Sequence, residues 1–253
     1  MQAQIHAPRT GYAYNLLDNS DFRNPVNQRG QTSYTGNQYT IDRWRTYSVG
    51  ATVSVANGYV GINDALMQYV LGIDTTKIYT AAVARPDGSL SVTSGTFGVG
   101  FGNVSIGIRC GVTSNLARFL IEGTVFPQIA WAALYEGAYT ADTLPPYQPK
   151  GYAAELAECQ RYFESVNSFY FNAQTNSNFN VFILYKANKR ISNPTVTVYD
   201  QQGNTGKVSE YEDGTWKPVN VTVYSYVNGF RISGIASTGY ATISLKAASS
   251  ADL

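Results

Sequence analysis

Few side chains in this sequence are equipped for covalent chemistry. It offers one histidine, His6, and two cysteines, Cys110 and Cys159, with no neighbouring Cys or His at metal-ligand spacing. A single imidazole in the first residues cannot complete a Ser-His-Asp, Cys-His or histidine-ligated zinc arrangement within one chain. Neither a G-x-S-x-G elbow nor a phosphate-binding P-loop is present. Gly98, Gly100 and Gly102 in FGVGFG miss the spacing of a dinucleotide loop, and no helical pattern follows, so a bulged strand is expected there. What remains is carboxylate chemistry. Glycoside hydrolysis needs only two carboxylates, and Asp18, Asp21, Asp42 and Glu136 qualify by type. No spacing selects a pair, and Asp residues in DNSD and IDRW commonly form turns or pair with arginine. The sequence therefore points away from catalysis, and toward no metal and no cofactor.

Binding chemistry is better represented. Tyr occurs 20 times, beside 11 Phe, 3 Trp and 23 Gly in 253 residues. Exposed rings stack on sugar faces while Asn, Gln and Asp bond the hydroxyls, a recognition mode that tolerates low charge. The competing reading is that Tyr suits half-buried strands and subunit interfaces. Charged residues are 14% of the chain and the net charge is +1. No clustered Lys and Arg mark a nucleic-acid or anionic-membrane surface, so neither partner is expected. No apolar leader and no run of about 18 apolar residues is present, which argues against a signal peptide or a membrane span.

The elements that must position these residues read as short strands. Thr52–Val55, the Asn57-Gly58 turn and Tyr59–Ile62 predict a type I′ hairpin. Ile78–Ala84, the turn Arg85-Pro86-Asp87-Gly88 and Ser89–Thr93 predict another. Val104, Ile106 and Ile108 alternate as one strand, and Gln128–Tyr135 is apolar enough for a strand covered on both faces. Residues 1–17 read as an attachment arm and 18–149 as a jelly-roll-like β-sandwich ending in a connector with Pro145, Pro146 and Pro149. A linking helix is expected within 150–167, carried by Ala153–Glu164, with Leu156, Cys159 and Phe163 on its apolar face. Residues 168–253 predict a second, smaller antiparallel β-sandwich, with strands at Phe179–Tyr185, Thr195–Tyr199, Lys207–Tyr211, Val219–Tyr226, Phe230–Ile235 and Tyr240–Leu245. Asp213-Gly214 and Asn228-Gly229 are its hairpin turns. Along Val219–Tyr226, Val219, Val221, Val223 and Ser225 face the core, leaving Asn220, Thr222, Tyr224 and Tyr226 outward.

Several segments resemble a known family. NLLDNSDFRNPVNQRGQTSYTGNQYTIDRWR (Asn15 to Arg45), QIAWAALYEG (Gln128 to Gly137), AAELAECQRYFE (Ala153 to Glu164) and ANKRISNPTVTVYDQQGNTGKV (Ala187 to Val208) resemble, in order and spacing, bacteriophage and prophage tail-fibre or receptor-binding proteins. The ending SSADL is similar as well. Landmarks of the resemblance are Asp42, Arg43, Trp44 and Arg45, then Trp131 and Glu136, then Gln160, Arg161 and Tyr162. It implies an all-β chain with a carbohydrate-binding-module-like jelly roll, a short C-Q-R-Y helix and a β-rich tip. The segment from Trp44 to Phe126 is short and Gly-rich for a full sugar-binding jelly roll, which suits a shoulder. The implied function is a non-enzymatic virion appendage, made in a host cytoplasm. Its partners would be two further copies of itself, other virion proteins through the arm, and a host glycan or protein. The alternatives are a head fibre or decoration protein, and a glycan-degrading carboxylate enzyme. Physically, Trp44 can enter the core while Asp42 pairs with a flanking arginine, and Arg161 can pair with Glu158 or Glu164 on the helix. Tyr211, Trp216, Tyr224 and Tyr226 are the candidate receptor contacts, the first two beside a DG turn and the last two on the outward face of a strand.

Overall fold

Alternating β-branched and aromatic residues, interrupted every few positions by Gly, Asn, Asp or Pro, fold into short strands. The computed structural model describes residues 13–99, 102–105, 107–113, 116–173, 178–212, 214–236 and 241–251. His6 and the rest of 1–12, Gly100, Ile106, Asp213, Tyr240 and the last two residues lie outside that set. The architecture is all-β, consistent with sandwiches of mostly antiparallel sheets, with one helix among the described residues. The chain divides into two compact units, Met1–Glu155 and Leu156–Leu253.

Unit 1 carries β1 (Ser33–Thr35), β2 (Arg45–Thr46), β3 (Thr52–Ala56), β4 (Tyr59–Ile62), β5 (Ala65–Val70), β6 (Ile78–Ala84), β7 (Leu90–Thr96), β8 (Gly98–Val99), β9 (Gly102–Ser105), β10 (Ile108–Thr113), β11 (Leu116–Glu122), β12 (Gln128–Ile129) and β13 (Trp131–Glu136). They form sheets in the orders β1-β3-β4-β12, β2-β5-β11-β10-β8 with β9 on β10, and β13-β6-β7. One pairing, β8 with β10, is parallel. The core gathers around Trp44, whose ring meets Phe22 at 5.1 Å and Phe119 at 6.2 Å, both edge-on. Such geometry aligns a ring's positive edge with another's negative face.

Three expectations need correction here. The β3–β4 hairpin forms, but only Gly58 has a positive φ, 88°, so the turn is not type I′, which needs it at both central residues. The apolar run after Phe126 is two strands in two sheets, because the Ala130 N–H turns to the Ala84 carbonyl at 2.8 Å between β12 and β13. The alternation from Val104 to Ile108 is not one strand. Gly107, at φ 86°, reverses the chain between β9 and β10, and a Cβ there would lie 2.6 Å from Val125 Cβ. The Pro-rich connector packs on unit 1, with Tyr147 stacked 4.3 Å from Trp131. The last residues of the predicted arm also join unit 1: Leu17 is buried and Leu16 donates to the Leu134 carbonyl.

The helix α1 runs from Tyr152 to Gln160 and spans the division between units. It is shorter than expected. Arg161 and Tyr162 form a turn, held by the Tyr162 N–H on the Cys159 carbonyl, and Glu164 already belongs to a strand. The alternating run that begins at Phe163 outcompetes helix continuation because it pairs with a distant strand over Phe163–Val166 and again over Phe169–Ala173.

Unit 2 carries β14 (Phe163–Ala173), β15 (Asn178–Leu184), β16 (Thr195–Tyr199), β17 (Lys207–Glu212), β18 (Thr215–Asn220), β19 (Thr222–Tyr226), β20 (Gly229–Ile235) and β21 (Ala241–Ser250). One sheet runs β14-β21-β17-β18 with β16 also on β21, and the other β15-β20-β19. Val208, Phe230, Ile232, Ile243 and Leu245 fill a single core built from both sheets. Beside it the buried Lys189 ammonium bonds Glu164 at 3.2 Å and the Gln160 carbonyl, and lies 4.5 Å from the Tyr185 ring centroid. Glu164 also accepts the Lys186 N–H, so the charge pair is tied into the backbone.

The segment Val219–Tyr226 keeps its expected alternation but is not one strand. It breaks at Val221, whose N–H bonds the Gly206 carbonyl, so β18 ends in one sheet and β19 starts in the other. Gly229 likewise is no turn residue. It pairs with Leu184 and Tyr226 inside β20, and a Cβ on it would lie 2.4 Å from the Ile183 carbonyl oxygen.

Candidate functional site

The landmarks of the sequence resolve into structural locks. Asn19, at φ 49°, accepts the Val26 N–H at 2.7 Å and donates to the carbonyls of Val26 and Asp42. Trp44 Nε1 donates to the carbonyls of Asp18 and Asn19. Asp42, fully buried, pairs with Arg29 at 3.1 Å and Gln28 at 2.7 Å, an arginine from outside its own tetrapeptide. Arg43, at φ 71°, turns the other way to Asp18 and the Tyr69 carbonyl, while Arg45 reaches Asn37 and stacks on Tyr39. The left-handed backbone at Arg43 sends adjacent side chains to different partners, which is why the flanking pair expected for Asp42 gives way to Arg29. Gln160 offers its carbonyl to Lys189, Arg161 its carbonyl to Arg190, and Tyr162 its ring to the Arg190 guanidinium at 5.3 Å. Glu164, expected on the helix beside Arg161, instead pairs with Lys189 from β14.

The carboxylates considered for glycoside hydrolysis are each engaged by a cation. Asp18 meets Arg43 at 3.1 Å and Lys150 at 3.4 Å, Asp21 meets Arg23 at 2.7 Å, Asp42 meets Arg29, and Glu136 meets Lys77 at 2.7 Å on the surface. Burial opposes the charge on Lys150, but Asp18, Glu155 and Tyr14 outweigh it and its pKa is raised. Desolvation pushes the Cys110 thiol up to about 12. Both cysteines are buried.

The four candidate contacts fall into two places. Tyr211 and Trp216 are directly paired across β17 and β18, ring centroids 4.9 Å apart, on the outer face of the larger sheet of unit 2. Tyr170 projects from β14 on that same face, through the register Tyr170, Ser244 and Ser209. Tyr224 and Tyr226 lie on β19, on the outer face of the smaller sheet. The structure therefore does not bring all four together, because the break at Val221 sends the two strands into different sheets.

On the smaller sheet the register adds residues not singled out from sequence. Phe182, Arg231 and Tyr224 form one cross-strand row, and Asn180, Ser233 and Thr222 the next. Phe182 and Tyr226 have ring centroids 5.6 Å apart, and Arg231 sits 4.3 Å from the Tyr224 ring centroid. The polar end opens into a groove of about 620 Å³ lined by Asn178, Asn180, Asn220, Thr222 and Ser233 over Val219 and Val221. The alternation in Asn178–Leu184 carried this signal, since period two puts Asn178, Asn180, Phe182 and Leu184 on one face.

A second groove, of about 400 Å³, lies in unit 1 and holds Asp64 and Glu122. Both are engaged: Ser48 donates to Asp64 and Arg109 pairs with Glu122. Chemically, then, the smaller sheet of unit 2 offers rings, amides, hydroxyls and the Arg231 guanidinium stacked on Tyr224 for recognition, and the candidate carboxylates sit in ion pairs or hydrogen bonds. Comparison with models of known families, with curated proteins and with solved structures returns no match.

Proposed function

We propose that this chain is a structural appendage protein of a bacteriophage virion, a tail-fibre or receptor-binding subunit without enzymatic activity. Its unit 2 contacts a host surface glycan or protein. The class comes from the sequence resemblance described above. The observation that supports the contact role is the chemistry of unit 2, whose two sheets both turn exposed rings outward among amides and hydroxyls: Tyr170 and Tyr211 on one, Phe182, Tyr224 and Tyr226 on the other. Rings give contact area at small entropic cost, and neutral polar groups bond sugar hydroxyls or peptide edges. In this reading unit 1 is the shoulder, and the chain works as a homotrimer attached to other virion proteins through its first residues.

The test uses the purified full-length protein. Light scattering is expected to give a mass near three chains, and the same material is expected to adsorb to host cells in competition with their extracted surface glycan. No new reducing ends should appear. A monomer, or a trimer that adsorbs to no candidate host, would overturn the receptor-binding reading, the latter in favour of a head-fibre or decoration role. Release of reducing ends would replace it with the enzyme.

A further inference from the structure

We infer that the outer face of β15, β20 and β19 is a saccharide site selective for sugars carrying a carboxylate, with Arg231 as the group that binds the acid. This rests on the proposed contact role of unit 2 and assigns that role to one sheet. Arg231 is the cation of this face, and neither of the two rows that flank it contains an Asp or Glu. Its guanidinium is stacked 4.3 Å from the Tyr224 centroid, and its buried Nε has no hydrogen-bond partner among the described residues. A guanidinium held on a ring keeps its in-plane N–H donors for a planar anion, and a carboxylate matches that fork.

The neighbouring row supplies the rest of the recognition. Asn180, Ser233 and Thr222 lie two residues along from Phe182, Arg231 and Tyr224, about 7 Å at strand spacing. They open into the 620 Å³ groove, with Asn178 and Asn220 at its margin. Amides and hydroxyls both donate and accept, the pattern that a sugar's hydroxyls require. Phe182 and Tyr226, tilted together at 5.6 Å, offer an apolar edge for a pyranose face. One anion donor, one polar row and one ring pair on a single face describe an acidic sugar better than a neutral one.

The experiment titrates the full chain by NMR or calorimetry with 3′-sialyllactose and trigalacturonate, using lactose and inorganic phosphate as controls. Expected is binding of at least one acidic sugar, weakened by salt, at least about tenfold tighter than lactose or phosphate, and weakened at least about tenfold by Arg231→Gln. Asn180→Ala should weaken it less. Circular dichroism and melting of both variants verify that they fold. Equal binding of acidic and neutral sugars, binding insensitive to Arg231→Gln, or no response to any probe would overturn the site. A change of solution mass on Phe182→Ser would assign the face to a second copy and overturn it too. Cell adsorption separates the two proposals: adsorption undiminished in Arg231→Gln defeats this site alone, whereas failure of the unaltered protein to adsorb defeats the contact role.

Discussion

Asn19 shows how much one side chain can organise. Three hydrogen bonds to the backbones of Val26 and Asp42 close the loop that delivers Trp44 to the core, and its left-handed φ is one that Asn tolerates better than most residues. Asn19→Ala would leave buried carbonyls and an N–H unmet, and should cost unit 1 about 3 kcal/mol in urea unfolding. Cys110 offers a chemical test. With its thiol pushed up to about 12 by burial, it should resist iodoacetamide at pH 8 in the folded protein and react once the chain is unfolded. Asp200 sets a pH test. Burial opposes its charge, but the side-chain and backbone donors of Asn204, with the N–H groups of Gln202 and Gly203, win and hold its pKa below the usual carboxylate value. A depressed carboxylate contributes stability above its unfolded pKa of about 3.9 and loses that contribution as pH falls through the folded value. Stability measured from pH 5 to pH 3 should therefore fall less steeply in Asp200→Asn than in the parent. At this scale Trp44's burial was legible from its chemistry. The partner of Asp42 was not, because Arg29 reaches it through space while Arg43 and Arg45 only adjoin it in sequence.

Strand positions were the most legible elements, since period-two patterns and turn residues act locally. Ile78–Ala84 and Thr195–Tyr199 form strands with the predicted bounds. Where strands stop was harder, as at Gly107, Ala130 and Val221, because each break is set by a hydrogen bond or close approach to a distant segment. Two glycine substitutions separate the causes. At Gly58, φ 88° with open space around it, alanine meets only backbone strain and should cost about 1 kcal/mol. At Gly107, φ 86° with Val125 and Phe126 inside 3 Å, strain and overlap add, and the cost should reach about 3 kcal/mol or more. Equal melting temperatures for the two variants would refute this account.

For the whole molecule, two compact units predict two unfolding events. Calorimetry of the parent should resolve them, or show one broadened peak that mutation splits. Glu164→Gln strands the buried Lys189 ammonium and should lower the unit 2 transition by about 3–5 kcal/mol, leaving unit 1 in place. Asn19→Ala should do the reverse. A common shift of both transitions by either variant would show that the units unfold as one. The sequence by itself determined an all-β chain with short strands, a helix near Ala153 and a surface chemistry of rings and neutral polar groups, because alternation, turn residues and composition act over neighbouring positions. Only the tertiary structure decided that Val221 passes the chain from one sheet to another, separating Tyr211 and Trp216 from Tyr224 and Tyr226, and that Arg231 and Asn180 join the latter pair on one face. Those facts depend on which strands pair, and pairing is settled by packing a shared core across residues far apart in the chain.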